Sequence, residues 1–257
     1  MTRGRTAAAA AFVVFNLMAA VAALAQDQPA DPAAAGARVI GDIGLAANVA
    51  PSPAHARDGG TSAIPYANFD YGQLFARIDT FGAKLLPAGD GSVELVTRVL
   101  EDGYTPAQAG LAKRRSSVPA GLGTLQTTPL GAIFFNAYHD FNKSHGNLVD
   151  LIYAAEIDAG PLAFYPQVGA EYRSSAYTGY FYGVSSTRAR QTGLPVYTPQ
   201  AADDPFAALF IEAHLGGHWY ADANLRRSHL AGTLARSPLV GRHTLDSGLL
   251  ALSYRFE

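Results

Sequence analysis

The chain ends in LLALSYRFE, residues 249–257, whose side chains alternate between two kinds. One face of the extended stretch is apolar: Leu250, Leu252, Tyr254 and Phe256. The other face carries Ala251, Ser253 and Arg255. A period of two indicates a β-strand with two unlike faces. An apolar face ending in aromatics, opposite a face that carries charge, is typical of a strand with lipid outside and a polar lumen inside. The stretch predicts a transmembrane β-barrel.

The first 25 residues have the pattern of a cleavable signal peptide. Two early arginines precede an alanine-rich apolar run, and Ala23-Leu24-Ala25 supplies the small residues that a signal peptidase reads. We expect cleavage between Ala25 and Gln26, rather than a transmembrane anchor. Residues 26–37 are rich in proline and alanine, which predicts a flexible tail ahead of a barrel formed by residues 38–257.

Composition narrows the class of protein further. After the signal, no apolar run is long enough for a membrane-spanning helix, but barrel strands escape that criterion because only every second residue faces lipid. The absence of cysteine suits an oxidising envelope compartment and excludes disulfides and thiolate metal sites. A net charge of −2 with scattered basic residues gives no sign of nucleic-acid binding. The 13 tyrosines and 13 phenylalanines can form the aromatic girdles of a barrel.

The same alternation recurs in residues 147–158, 162–173, 209–215 and 219–226. A soluble β-sandwich also alternates, but the signal peptide, terminal aromatic and regular hairpins together favour the barrel.

Connections between the strands are of two lengths. Short ones are predicted at 71–72, 87–91, 158–161 and 216–218, and long ones at 102–118, 174–205 and 229–245. Outer-membrane barrels keep short turns in the periplasm and long loops outside, with an even number of strands. All long loops fall on one side if residues 75–86 hold two short strands with a bend near 79–82. This predicts about twelve antiparallel up-and-down strands, with ten as the alternative.

Two further motifs suggest a family. Residues 180–185 read Tyr-Phe-Tyr-Gly-Val-Ser, and residues 193–197 read Gly-Leu-Pro-Val-Tyr. Together they resemble the signature of the MltA-interacting protein family, also called MipA/OmpV. Residues 64–71, 121–123 and 237–240 are similar to other family segments, in matching order. Tyr254 and Phe256 also resemble the C-terminal signal that the barrel assembly machinery selects, although Glu257 follows the usual last aromatic.

The resemblance implies a Gram-negative outer-membrane protein embedded in lipid. In at least one family member, the barrel is a scaffold that joins a lytic transglycosylase to a bifunctional murein synthase; other members are linked to antibiotic response or adhesion. We therefore interpret the chain as a non-enzymatic scaffold without a cofactor. A narrow channel is the alternative, and an outer-membrane hydrolase is a less favoured one.

The signature block is the candidate partner motif, in a loop that folds over the barrel mouth or into the lumen. Its residues are Tyr180, Tyr182, Gly183, Val184, Ser185, Gly193, Leu194 and Tyr197. The alternative is that the aromatic rings only pack this loop against the wall. Gly183 is expected to supply a backbone angle that other residues resist.

The inward faces of the predicted strands place both signs of charge in the lumen. The residues are Asp150, Glu156, Glu171, Arg173, Glu212, Asp222, Arg226 and Arg255. Paired charges would fill and close the lumen, whereas unpaired ones would line a narrow pore. For the same reason, an arginine at the inward position 253 should destabilise the barrel less than an arginine at the outward position 252.

Catalytic and metal-binding motifs are weak. Ser144 and His145 are adjacent, so on a strand their side chains would point in opposite directions. His214 and His218 lack an evident third metal ligand. We expect neither a catalytic residue nor a metal site.

Overall fold

The computed structural model describes residues 38–57 and 60–257, which form a closed antiparallel β-barrel. The predicted signal peptide, its cleavage site and the tail to residue 37 lie outside the described residues.

Thirteen strand segments build the wall. They are β1 (Val39–Val49), β2 (Thr61–Tyr71), β3 (Leu74–Arg77), β4 (Thr80–Ala88), β5 (Gly91–Arg98), β6 (Ala120–Thr128), β7 (Gly131–His139), β8 (Asn147–Ala155), β9 (Ile157–Ala159), β10 (Leu162–Arg173), β11 (Ala202–Gly216), β12 (Trp219–His229) and β13 (Thr244–Phe256). Segments β8 and β9 both pair with β10 and are separated only at Glu156, so they form one strand. The barrel therefore has twelve strands, as predicted.

The barrel is closed between its first and last strands. β13 pairs antiparallel with β1 from Gly41 opposite Phe256 to Val49 opposite Gly248. Every other strand pairs with its neighbours in the sequence. Closure leaves no open edge, so the backbone hydrogen bonds needed within a membrane are satisfied inside the wall.

The predicted pair of short strands near residue 79 is confirmed. β3 has only four residues and joins β4 through Ile78 and Asp79. Ile78 has φ of 58°, a value that β-branched residues rarely adopt, and its backbone N–H donates to the Ala67 carbonyl at 2.7 Å. This hydrogen bond holds the tight bend against β2.

The two faces of β13 are those that the sequence predicts. Leu250, Leu252, Tyr254 and Phe256 are exposed on the outer surface, whereas Ala251 and Ser253 are buried in the lumen. Towards one end, Tyr254 contacts the rings of Trp219 and Phe256. Towards the other end, the outward Arg227 and Asp246 form an exposed ion pair. The apolar belt thus lies between an aromatic girdle and a charged boundary.

The five turns at 72–73, 89–90, 129–130, 160–161 and 217–218 lie at one end of the barrel, and the five longer loops lie at the other end together with the short β3–β4 bend. The short turns use glycines with left-handed backbone angles, such as Gly160 at φ 68° and Gly217 at φ 57°. By the sidedness of outer-membrane barrels, this end is periplasmic. The outer end carries loops 50–60, 99–119, 140–146, 174–201 and 230–243, whose described residues we call the cap.

Three short helices lie within the cap, where the sequence predicts only loops. They are α1 (Ser175–Tyr182), α2 (Ser186–Thr192) and α3 (Gly232–Ala235). Within the described part of the chain, no helix is both long and apolar enough to span a membrane.

Candidate functional site: a filled lumen beneath a folded cap

Five arginines cross the lumen, and each is paired with at least one carboxylate. They are Arg77, Arg98, Arg173, Arg226 and Arg255. Arg77 binds Glu94 through two parallel hydrogen bonds of 2.7 Å. Arg255 binds Asp42 in the same manner and reaches Glu212 at 2.5 Å. Such bidentate pairs are the geometry in which a buried guanidinium is best compensated.

Glu171 is the centre of the largest network. Its carboxylate is 9% exposed and lies 3.2 Å from Arg98, 2.7 Å from Arg173 and 3.0 Å from Arg226. Arg98 also contacts Asp150 at 2.9 Å, and Arg173 also pairs with Asp204. Residues from five different strands, β5, β8, β10, β11 and β12, are thereby tied together across the lumen.

The structure places the predicted lumen charges as follows. Asp150, Glu171, Arg173 and Arg226 belong to the Glu171 network, and Glu212 and Arg255 belong to the second cluster. Asp222 is buried and accepts a 2.8 Å hydrogen bond from Ser253. Glu156 is exposed at the periplasmic end, where it accepts a hydrogen bond from the Tyr165 hydroxyl.

Sequence reasoning missed six members of these ion pairs: Asp42, Arg77, Asp79, Glu94, Arg98 and Asp204. Glu94 and Arg98 share the inward face of β5 with Val96, so the alternation of that strand could have found them. Asp42 and Arg77 lie in strands for which no facing was assigned.

The cap closes over the outer mouth as a folded layer. The Tyr104 hydroxyl donates to the Phe181 carbonyl at 2.5 Å, and the Ser237 hydroxyl donates to the Tyr182 carbonyl at 2.7 Å. The 174–201 loop is thus bonded to two other loops. Around these bonds, an apolar cluster buries side chains from the cap and the upper wall: Phe75, Val96, Tyr104, Tyr138, Leu148, Tyr177, Phe181, Tyr182, Leu230, Leu234 and Val240.

The candidate partner motif lies within this layer. Tyr182 and Val184 are buried, and Val184 forms a β-bridge with Tyr197. The Tyr197 hydroxyl donates to the Thr233 carbonyl at 2.6 Å. Tyr180 is partly exposed, and its hydroxyl accepts from the backbone of Arg115.

The remaining members of the motif form the ends of α2. Ser185 is its N-cap and accepts from Arg188 N–H, and Gly193 ends it with φ of 74°. Leu194 follows, with its N–H donated to the Thr192 hydroxyl. Most residues of the motif therefore hold the cap together, either as caps of α2 or through bonds to other cap residues.

The expectation for Gly183 is wrong. Its φ of −82° and ψ of 145° are open to any residue. Glycine is needed there for a different reason, because a Cβ atom would lie 2.4 Å from the Gly179 carbonyl oxygen. A close approach of two backbone segments fixes this position.

Ser144 and His145 form part of a tight loop in the cap. The Asp140 carboxylate accepts from the backbone N–H groups of Asn142, Lys143 and Ser144, and from the Ser144 hydroxyl at 2.7 Å. Burial alone would raise the pKa of Asp140, but these hydrogen bonds lower it below its usual value. The Ser144 hydroxyl is therefore hydrogen-bonded to the ionised carboxylate of Asp140, as part of the loop structure.

The two histidines of the β11–β12 hairpin lie at the periplasmic end. His214 Nε2 is 2.9 Å from the Gly217 carbonyl, and its ring stacks on Tyr220, while His218 stacks on Tyr254. Residues 38–57 and 60–257 contain no group of three or more potential metal ligands.

The rim beside this hairpin carries a cavity of about 430 Å³. It is lined by Arg38, Val39, His218, Tyr254, Arg255, Phe256 and Glu257. The C-terminal aromatics and the entry of the chain into β1 thus meet at one periplasmic site.

Asp102 in the cap predicts a dependence of stability on pH. Burial raises its pKa to about 7, against the opposing effects of the Ser117 N–H and the Arg173 charge. In the unfolded chain the carboxyl ionises near pH 4, so the folded state holds the proton more tightly. Its contribution to stability therefore falls as pH rises from about 4 to about 7, and does not recover above that range.

We expect Asp102→Asn to raise the thermal midpoint at pH 8 more than at pH 5. Circular dichroism of the refolded barrel in detergent measures this difference. Equal gains at the two pH values would show that the Asp102 carboxyl is not held in a protonated form.

A closed wall with an apolar outer belt, a charge-filled lumen and a folded cap defines a transmembrane β-barrel protein. A family model described as MltA-interacting protein MipA matches residues 43–256. The chain belongs to this family, and it lies in the outer membrane of a Gram-negative bacterium.

Curated relatives agree with this assignment. "Putative outer membrane protein YiaT" of Escherichia coli, in strain K12 and in O157:H7, is 25% identical over 221 residues, which cover 83% of this chain and 90% of the relative. "MltA-interacting protein" of E. coli K12 is 25% identical over 147 residues, which cover 57% of this chain and 59% of the relative.

Proposed function

We propose that this protein is a non-enzymatic scaffold that links the outer membrane to murein-remodelling enzymes. The partners suggested by the family resemblance are a lytic transglycosylase and a bifunctional murein synthase. The observation that supports this proposal most directly is the relative named MltA-interacting protein, which aligns with more than half of this chain.

The filled interior supports a scaffold over a channel. Arginine–carboxylate pairs bridge the lumen, and the cap packs over its outer mouth. Charges that are already paired leave no free sites for a passing ion. Surfaces that can bind other molecules therefore lie at the two ends of the barrel.

A murein-side partner would reach the periplasmic end. The rim cavity, the short turns and the start of β1 lie there. The Tyr180–Tyr197 block lies at the opposite end, so it is unsuited to contact with a periplasmic enzyme. The periplasmic rim, rather than the Tyr180–Tyr197 block, is therefore the candidate docking surface for a murein-remodelling enzyme.

Capture of purified partners tests the scaffold. The barrel, held in phospholipid nanodiscs, is incubated with a lytic transglycosylase and a bifunctional murein synthase from the same bacterium. We expect both to be retained, and Arg38→Ala with His218→Ala to reduce retention. Arg236→Ala with Arg242→Ala, at the opposite end, is the matched control. Retention of neither enzyme by the wild-type barrel would contradict the proposal.

Conductance separates the scaffold from the channel. In planar bilayers we expect no stepwise conductance from the folded wild-type protein, because paired charges bridge the lumen and the cap packs over its outer mouth. Regular steps that are lost on boiling the sample would favour the channel.

A further inference from the structure

A second group of cationic side chains lies on the outer end of the barrel, within the cap. Lys113, Arg114 and Arg115 are consecutive in the 99–119 loop, and Arg188 and Arg190 lie on α2. We call these five residues the basic cap patch. In the sequence they are among the scattered basic residues, and the fold brings the 99–119 loop and α2 together.

The loop and the helix are joined by direct contacts. Gln108 Nε2 donates to the Thr192 carbonyl at the end of α2, and a Cβ on Gly110 would contact Thr192. The Arg115 N–H donates to the Tyr180 hydroxyl, and the Arg114 guanidinium lies 5.6 Å from the centre of the Tyr180 ring. The two halves of the patch are thus held side by side.

Among the residues that the structure describes, the patch differs from the lumen in having no carboxylate partner. Each lumen arginine has a carboxylate partner, whereas no member of the patch forms an ion pair with a carboxylate of residues 38–57 or 60–257. Arg114 is 2% exposed, and its Nε and Nη2 atoms have no hydrogen-bond partner within those residues. Burial and the Arg188 charge both lower the pKa of Arg114, which reflects like charges held together.

Neighbouring arginines that have no carboxylate partner within the described residues are suited to phosphate and carboxylate groups, which guanidinium binds through parallel hydrogen bonds. The location restricts the source of such groups. The patch lies beyond the charged boundary marked by Arg227 and Asp246, on the outer side. There the surrounding leaflet is lipopolysaccharide, whose inner saccharides carry phosphates and carboxylates. Clustered basic side chains next to a membrane are attracted to anionic headgroups.

We propose that the basic cap patch binds the phosphorylated inner saccharide of lipopolysaccharide in the outer leaflet. Arg115, Arg188 and Arg190 contact the anion, and the buried Arg114 supplies charge from beneath. The site is independent of the periplasmic partners, since it lies at the other end of the barrel.

The test is titration of the refolded barrel in zwitterionic detergent with a deacylated, phosphorylated inner-core oligosaccharide, followed by calorimetry. Replacing Arg115, Arg188 and Arg190 by glutamine should weaken binding about tenfold or more, since three charge-assisted contacts are lost. The control replaces Lys143, Arg236 and Arg242, which are cap cations outside the patch, by glutamine. It should change the dissociation constant by less than about twofold. Heat-modifiability on gels confirms that both variants are folded.

Two further arms identify the ligand. The dephosphorylated oligosaccharide should bind at least about tenfold more weakly than the phosphorylated one, and binding should weaken as salt is raised. Equal losses in the patch and control variants, equal binding of the dephosphorylated saccharide, or equal binding of an acidic peptide of the same charge would each overturn the proposal. So would the absence of binding by the wild-type protein.

Discussion

Replacing Glu171 by leucine is expected to destabilise the folded barrel by about 3–5 kcal/mol. The carboxylate is nearly buried and lies within 3.2 Å of three guanidinium groups, those of Arg98, Arg173 and Arg226. Removal of the shared carboxylate leaves three positive charges close together in the buried lumen. Removing one partner of a buried ion pair lowers the free energy of unfolding by far more than the intact pair contributes to it. The free energy of unfolding in urea, with the barrel in phospholipid vesicles, measures the effect.

Asp246→Leu provides the control for this prediction. Asp246 also pairs with an arginine, Arg227, but both side chains are exposed on the outer surface, so its removal should change stability little. A variant in which both Glu171 and Arg226 are replaced by leucine should recover part of the lost stability, because the uncompensated charge of Arg226 is also removed. If Glu171→Leu and Asp246→Leu behave alike, the lumen network does not hold the wall together.

The wall could be predicted from sequence because its signal is local and repeated. In β13 and β10 the neighbours of each residue alternate between lipid and lumen, so the side chains alternate with the same period. The twelve-strand count follows from placing the long loops on one side, which requires two strands, the short β3 and the longer β4, on either side of the bend near residue 79.

The pairing of charges and the fold of the cap could not be predicted in the same way. Arg255 and Asp42 are 213 residues apart, and they meet only because the barrel closes between β13 and β1. The sequence of α1 does not separate into polar and apolar sides, so it gives no sign that Tyr177, Phe181 and Tyr182 lie on a face that three other loops bury. Arg114 is likewise buried by contacts that form only in the folded cap. Such sites depend on tertiary structure rather than on local pattern.

Leu250→Arg is the second large effect and tests the orientation of the wall. Leu250 is 63% exposed on the outer surface and lies midway along β13 between Asp246 at the charged boundary and Tyr254 in the aromatic girdle. A charge at this depth must enter the centre of the bilayer or distort it. We expect a loss of about 2–4 kcal/mol in the free energy of unfolding from phospholipid vesicles.

Leu252→Arg lies closer to the girdle and should cost less, because the penalty falls towards the interface. The inward Ser253 cannot serve as the mild comparison that the sequence suggests. It is fully buried and donates to Asp222, so a side chain as large as arginine would not fit there without moving the lumen network. Ser62 on the inward face of β2 is a better site, since it is only partly buried and already contacts Glu101. Arginine at position 62 should be tolerated better than at position 250; equal losses at the two sites would mean that the outer face of β13 does not meet lipid.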